Sequence, residues 1–153
     1  MTGDLLEVAR ILAEVEPASE AHLSRSISTS YYAIFRHVCE KSSSLMLGVE
    51  TENPGRARDH LERSIEHAAL LKRCKAIRNS ELGFPQAIID FAATICDLQD
   101  DRHLADYSRS RRFTRADAQE RFLRAKNAIA GFDACEERHQ RAFIVWVNFE
   151  ERY

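Results

Sequence analysis

Glycine and proline are scarce, five and three in 153 residues. So few chain breakers leave few turns, and the polypeptide must be divided among a small number of long elements. Cysteine is confined to Cys39, Cys74, Cys96 and Cys135. No two of them form a Cys-x-x-Cys pair, and no histidine falls at zinc-ligand spacing from them. A zinc finger or ribbon is thereby excluded, and free thiols in helical surroundings are expected. No apolar run approaches the roughly 20 residues that a membrane helix needs. No basic N-terminal segment leads into an apolar one, so no secretory signal is read there. Together these absences predict a protein of the reducing cytoplasm with no membrane partner. Charge of one sign is not in excess either: 22 cationic side chains face 24 acidic ones, for a net charge of −2. There is no global basic field to draw nucleic acid in. The cations are uneven in kind, 18 arginines to 4 lysines. Arginine suits bidentate phosphate contacts, although the base composition of a genome produces the same bias.

What the chain does have is helical periodicity. Apolar residues make up 44% and charged residues 30%, enough for one domain with a core that buries about 68–70% of the unfolded surface. Leu5, Val8, Leu12 and Val15 recur at spacings of 3 and 4 behind Asp4, a candidate N-cap, and Pro17 ends that helix. A long helix follows from Ser19 to Leu47, with Leu23, Ile27, Tyr31, Ile34 and Val38 as its inward stripe. Gly48 to Gly55 forms a loop. A third helix carries Leu61, Ile65, Ala68 and Leu71. Pro85 opens a fourth, with Ile88, Ala92, Ile95 and Leu98 on one face, ending near Asp106 or Tyr107. Thr114, with Asp117 three residues on, caps a fifth helix that Gly131 closes. The last segment, 133–153, contains Phe143-Ile144-Val145-Trp146-Val147-Asn148-Phe149. Its β-branched residues favour a strand by propensity. A lone strand would have no partner, so helix is expected. The fold class is all-α, an antiparallel up-and-down bundle of five or six helices.

Two constellations carry chemistry. The first is Ser28-Thr29-Ser30-Tyr31-Tyr32-Ala33-Ile34-Phe35-Arg36-His37. Neighbours on a helix point about 100° apart, so Tyr31 enters the core on its stripe. Tyr32, near Ser28 and Phe35, reaches another surface. The second is Arg102-His103-Leu104-Ala105-Asp106-Tyr107. Arg102 and Asp106 share a helix face, and read alone they make an ordinary i,i+4 ion pair. Four arginines follow within seven residues, Arg109, Arg111, Arg112 and Arg115. A phosphate entering there meets several guanidinium forks, and Tyr107 or Phe113 offers a ring for a base. His60, Glu62, Glu66 and His67 fit a solvated helix and are not read as a metal site. Phe143, Trp146, Val147 and Phe149 are expected to cap the core, with a dimer or partner face as the alternative.

The paired tyrosines with Phe35 on one helix and the Arg-x-x-Ala-Asp-Tyr on another resemble the HEPN domain family. More narrowly, they resemble a branch of small prokaryotic HEPN proteins with that Arg-x-x-Ala-Asp-Tyr form. The resemblance covers residues 1–132, leaving 133–153 as an added C-terminal helix packed on the bundle or in an interface. It implies a HEPN-like helical bundle that forms a homodimer and binds RNA or nucleotide phosphates. It further implies metal-independent endoribonuclease chemistry, as in a toxin or defence element, with no cofactor. In active members an arginine holds the scissile phosphate. A histidine, after four to six intervening residues, assists proton transfer as the RNA 2′-hydroxyl attacks. Here Arg102 matches the arginine, while the histidine positions hold Tyr107, Ser108 and Arg109. By the resemblance Arg102 holds phosphate, Asp106 orients it or acts as base, Tyr107 hydrogen-bonds or stacks, and His103 assists. Arg109, Arg111 and Arg112 then contact RNA, and Arg36 and His37 face the same cleft. The alternative implied function is a non-catalytic interaction module that partners a small nucleotidyltransferase.

Overall fold

The computed structural model describes residues 1–152, and among them are seven α-helices. They are α1 (Thr2–Glu14), α2 (Glu20–Leu47), α3 (Ala57–Ser64), α4 (His67–Asn79), α5 (Gln86–Tyr107), α6 (Arg115–Asp133) and α7 (Glu137–Asn148), with a 3-10 turn at Pro54–Arg56. The all-α expectation holds. Among the described residues no helix is long and apolar enough to cross a membrane.

α2 is the central element. It packs against α1, α3, α5, α6 and α7, while α5 packs on α2, α4 and α6. Its start is set by Ser19, whose hydroxyl accepts the His22 backbone N–H while the His22 ring accepts the Ser19 N–H. Such a reciprocal cap satisfies two of the N–H groups that a helix start leaves unpaired. The inward stripe Leu23, Ile27, Tyr31, Ile34 and Val38 is buried as expected. So is the α5 face of Ile88, Ala92, Ile95 and Leu98. At the centre, Phe91 of α5 lies 4.5 Å from Phe132 and 5.3 Å from Phe143, ring centre to ring centre.

The third helix of the sequence reading is two helices, which raises the count to seven. Ile65 and Glu66 are extended between α3 and α4. No glycine or proline marks the break; the turn lets α4 pack on α5 and α7 while α3 stays on α2. α1 also faces differently. Thr2, Ala9 and Ala13 are its buried residues, while Val8 and Ile11 remain 45% and 48% exposed. Small side chains let the α1 backbone approach α2, and the buried Ser26 hydroxyl donates to the Ala9 carbonyl at 2.7 Å. A larger apolar stripe would hold the helices apart. Asp4 is not the N-cap; the helix begins at Thr2, and Asp4 sits in its first turn.

Gly131 does not close α6, which continues to Asp133. The extra turn seats Phe132, 1% exposed, between Phe91 and Phe143, and that burial outweighs the cost of about 1 kcal/mol for a helical glycine. The final helix is shorter than 133–153. Phe143, Ile144 and Val147 enter the main core, whereas Phe149 lies beyond the helix and is exposed. The Trp146 indole is partly covered and donates to the Arg73 carbonyl at 3.1 Å.

Candidate anion site at the tyrosine pair

The two sequence constellations meet where α2 and α5 run antiparallel. The Ser28 hydroxyl donates to Asp106 Oδ1, and one helical turn further along α2 the Tyr32 hydroxyl lies 3.4 Å from Arg102 Nη1. Advancing four residues on α2 thus retreats four on α5. Beyond α5 the loop stays beside α2, where Arg112 pairs with Glu20 at its start.

Arg102 is the centre of this junction. Its side chain is only 13% exposed, and its guanidinium stands 5.4 Å from the Tyr31 ring centre and 5.7 Å from that of Tyr32. Cation–π contact of this kind is worth more where water is excluded. Asp106 lies 3.5 Å from Nη1, a loose ion pair. The Nε–H of Arg102 is buried and has no acceptor. A buried donor without a partner costs about 1–3 kcal/mol, so the cation is held in place by its neighbours while part of its hydrogen-bonding capacity stays unused.

A residue expected on a solvated helix completes the cluster. The break before α4 delivers His67, the first residue of that helix, onto the aromatic surface of α2. Its ring stacks on Phe35 at 4.0 Å between centres, and its Nδ1 lies 2.6 Å from the Tyr31 hydroxyl. Tyr31 is 1% exposed, so its O–H needs an internal partner, and His67 supplies it. Burial pushes the Tyr31 hydroxyl well above the ordinary phenol range, opposed by the nearby Arg102 charge. The phenol therefore remains a donor at neutral pH. Burial, and secondarily the Arg102 charge, lowers the His67 pKa below the usual imidazole range. A neutral ring accepting from Tyr31 at Nδ1 carries its own proton on Nε2. No local motif marks His67. The signal available in sequence was indirect: a tyrosine on an inward stripe demands a hydrogen-bond acceptor.

The remaining expected residues are placed elsewhere. His103 and Tyr107 lie side by side, 5.1 Å between ring centres and tilted by 50°, on the outward side of α5, with Tyr107 68% exposed. Arg102 does not reach them, because four residues separate it from Asp106 on one face while His103 and Tyr107 share the next. Arg36 belongs to an ion pair of its own, 2.7 Å from Glu62. His37 is buried, with Nε2 at 2.8 Å from Asp133 of α6, and its ring faces Phe91 and Phe132. It points toward the core beneath α6 rather than toward Arg102.

The basic loop is partly spoken for. Arg112 pairs with Glu20, and Arg115 reaches Glu16 at 2.7 Å and the carbonyls of Ala13 and Val15. Arg111 covers Phe113 at 4.7 Å. Phe113 itself is buried against Leu23, Ile27 and Ala118, so its ring is not open to a base. Arg109 is exposed and makes no ion pair among the described residues. Among the described residues no three His, Cys, Asp or Glu side chains come together as a metal set.

No protein-family model, curated protein or solved structure matches this chain. Its site is therefore described by its own chemistry: one guanidinium with an unused buried donor, two phenols, a neutral imidazole and a carboxylate that accepts from Ser28. With the Tyr31 O–H committed to His67, three of these five groups still have a donor to offer, which suits an anion better than a cation.

Proposed function

We propose that the protein is a HEPN-like homodimer that binds the phosphates of RNA or nucleotides at Arg102. The observation carrying this reading is the buried, unpartnered Nε–H of a guanidinium clamped over Tyr31 and Tyr32. A phosphate oxygen is the acceptor that such a fork accommodates best. Asp106 is the orienting group, because one of its oxygens already accepts from Ser28 and the other faces Arg102. Arg109 and Arg111, at the end of α5, extend the contact along a phosphate backbone. In a dimer, the exposed Tyr32, Leu104 and Tyr107 bring two such sites together around one strand. The reaction proposed is metal-independent cleavage of single-stranded RNA, as in a toxin or defence element of the cytoplasm. Purified protein in the presence of a chelator should degrade single-stranded RNA, and Arg102→Ala should abolish both degradation and binding. Equal cleavage by wild type and variant refutes the assignment. RNA binding should also fall steeply with salt.

A second reading has its own observation. Leu104 and Tyr107 are 41% and 68% exposed on the outward side of α5, apolar area beyond what Arg102 needs. Such a face suits a protein partner such as a small nucleotidyltransferase, with the bundle acting as a non-catalytic module. A complex that survives high salt while RNA binding is absent would favour it.

A further inference from the structure

We infer that His67 is the second phosphate-binding group of the Arg102 site: the Tyr31 hydroxyl fixes the imidazole as its Nε2–H tautomer, and that N–H hydrogen-bonds the phosphate that the guanidinium holds. The inference rests on the phosphate site proposed above and adds a ligand from a different helix, 35 positions upstream of Arg102.

Three observations converge on it. His67 and Arg102 flank the same two rings. The imidazole lies 5.6 Å from Tyr31 and 6.1 Å from Tyr32, and the guanidinium 5.4 and 5.7 Å from them. The tautomer follows from satisfaction: Tyr31 is buried, its O–H must donate, and Nδ1 of His67 is its partner. Finally, the ring is positioned rather than mobile, since Phe35 stacks on one face at 4.0 Å. An imidazole pinned on three sides and left with one N–H, beside a guanidinium whose Nε–H lacks an acceptor, is preorganised for an anion.

Protonation is coupled to the same event. The charged and titratable groups facing His67 are Tyr31 and Tyr32 from α2 and Arg102 from α5. Without ligand, burial and the guanidinium, which repels a second cation, both disfavour imidazolium. A bound phosphate anion offsets that repulsion, and because Nε2 already carries a hydrogen any second proton goes to Nδ1. A proton there makes Tyr31 turn its O–H away. The Tyr31–His67 bond is therefore the element that resists protonation until an anion is present.

The test is nitrogen-15 NMR of the full chain, titrated with inorganic phosphate at pH 7.5. In wild type the His67 resonances should report the Nε2–H tautomer, and phosphate should shift them. His67→Ala should weaken phosphate binding about tenfold, the equivalent of one hydrogen bond to a charged group. His67→Gln, which keeps an N–H near the Nε2 position, should recover most of the loss. Thermal melting identifies any variant that fails to fold. If Arg102→Ala abolishes phosphate binding while His67→Ala leaves it unchanged, the role of His67 is overturned and the Arg102 site stands. An Nδ1–H tautomer overturns the role of Tyr31. Failure of wild type to bind phosphate at millimolar concentration overturns both the site and the inference.

Discussion

Replacing Arg102 with methionine separates a ligand-binding arginine from a structural one. In the folded chain the guanidinium gains a cation–π contact with two rings, about 1 kcal/mol in all. It also gains a loose ion pair at 3.5 Å, worth about 0.5–1 kcal/mol. Against this stands its buried Nε–H without an acceptor, a cost of about 1–3 kcal/mol. Methionine keeps an alkyl stem on the tyrosine rings and contributes about 0.3–1.5 kcal/mol of sulfur–aromatic contact. Asp106 keeps its bond from Ser28 and is 20% exposed, so water serves its free oxygen. The sum predicts that Arg102→Met leaves stability within about 1 kcal/mol of wild type, a shift of about 2–4 °C in melting temperature for a chain of this size. Phosphate binding should be lost in the same variant. Urea unfolding gives the stability and phosphate titration the binding. A loss of about 3–5 kcal/mol, the cost of breaking an optimised buried pair, would show that Arg102 is a strut for α2 and α5 and would refute the reasoning.

Four further outcomes follow from the fold and can be measured in the same preparations. Phe91→Ala empties the centre of the ring cluster formed with Phe132 and Phe143 and should cost about 3–5 kcal/mol by urea unfolding. Thr114→Ala should cost about 0.5–2 kcal/mol by removing the reciprocal cap of α6. The Thr114 backbone N–H bonds to Asp117 and lowers its pKa from the ordinary carboxylate value; that stability is present above about pH 4 and lost below it. The melting temperatures of wild type and Asp117→Asn should therefore differ at pH 6 and converge near pH 3. Burial raises all four thiols, Cys39 to about 11, so accessibility decides which one reacts. Iodoacetamide at pH 8 should modify Cys135, the thiol that is not fully buried, and spare the other three until the chain unfolds, as read by mass spectrometry.

Much of the fold was legible because its signals are local. Ser19 and Thr114 announced the starts of α2 and α6, and stripes of spacing 3 and 4 gave the buried faces of α2 and α5. The α1 face was misjudged because periodicity ranks residues by hydrophobicity, while close helix packing selected Ala9 and Ala13 for their size. The break at Ile65 escaped because neither glycine nor proline marks it. In the candidate site, the meeting of Tyr32 with Arg102 and of Ser28 with Asp106 joins residues that the motifs had singled out. His67 was beyond reach, since its place depends on how far α4 turns at that unmarked break.

The antiparallel register of α2 against α5 has a consequence for chain length. One residue inserted between Ser28 and Tyr32 would swing everything after it by about 100°. Ser28 would still meet Asp106, but Tyr32 would leave Arg102, and Tyr31 would part from His67. The same insertion in the 48–56 connection would displace no contact of the cluster. The pocket thus behaves like a vernier scale: lengthening is harmless off the ruler and ruinous between its two marks.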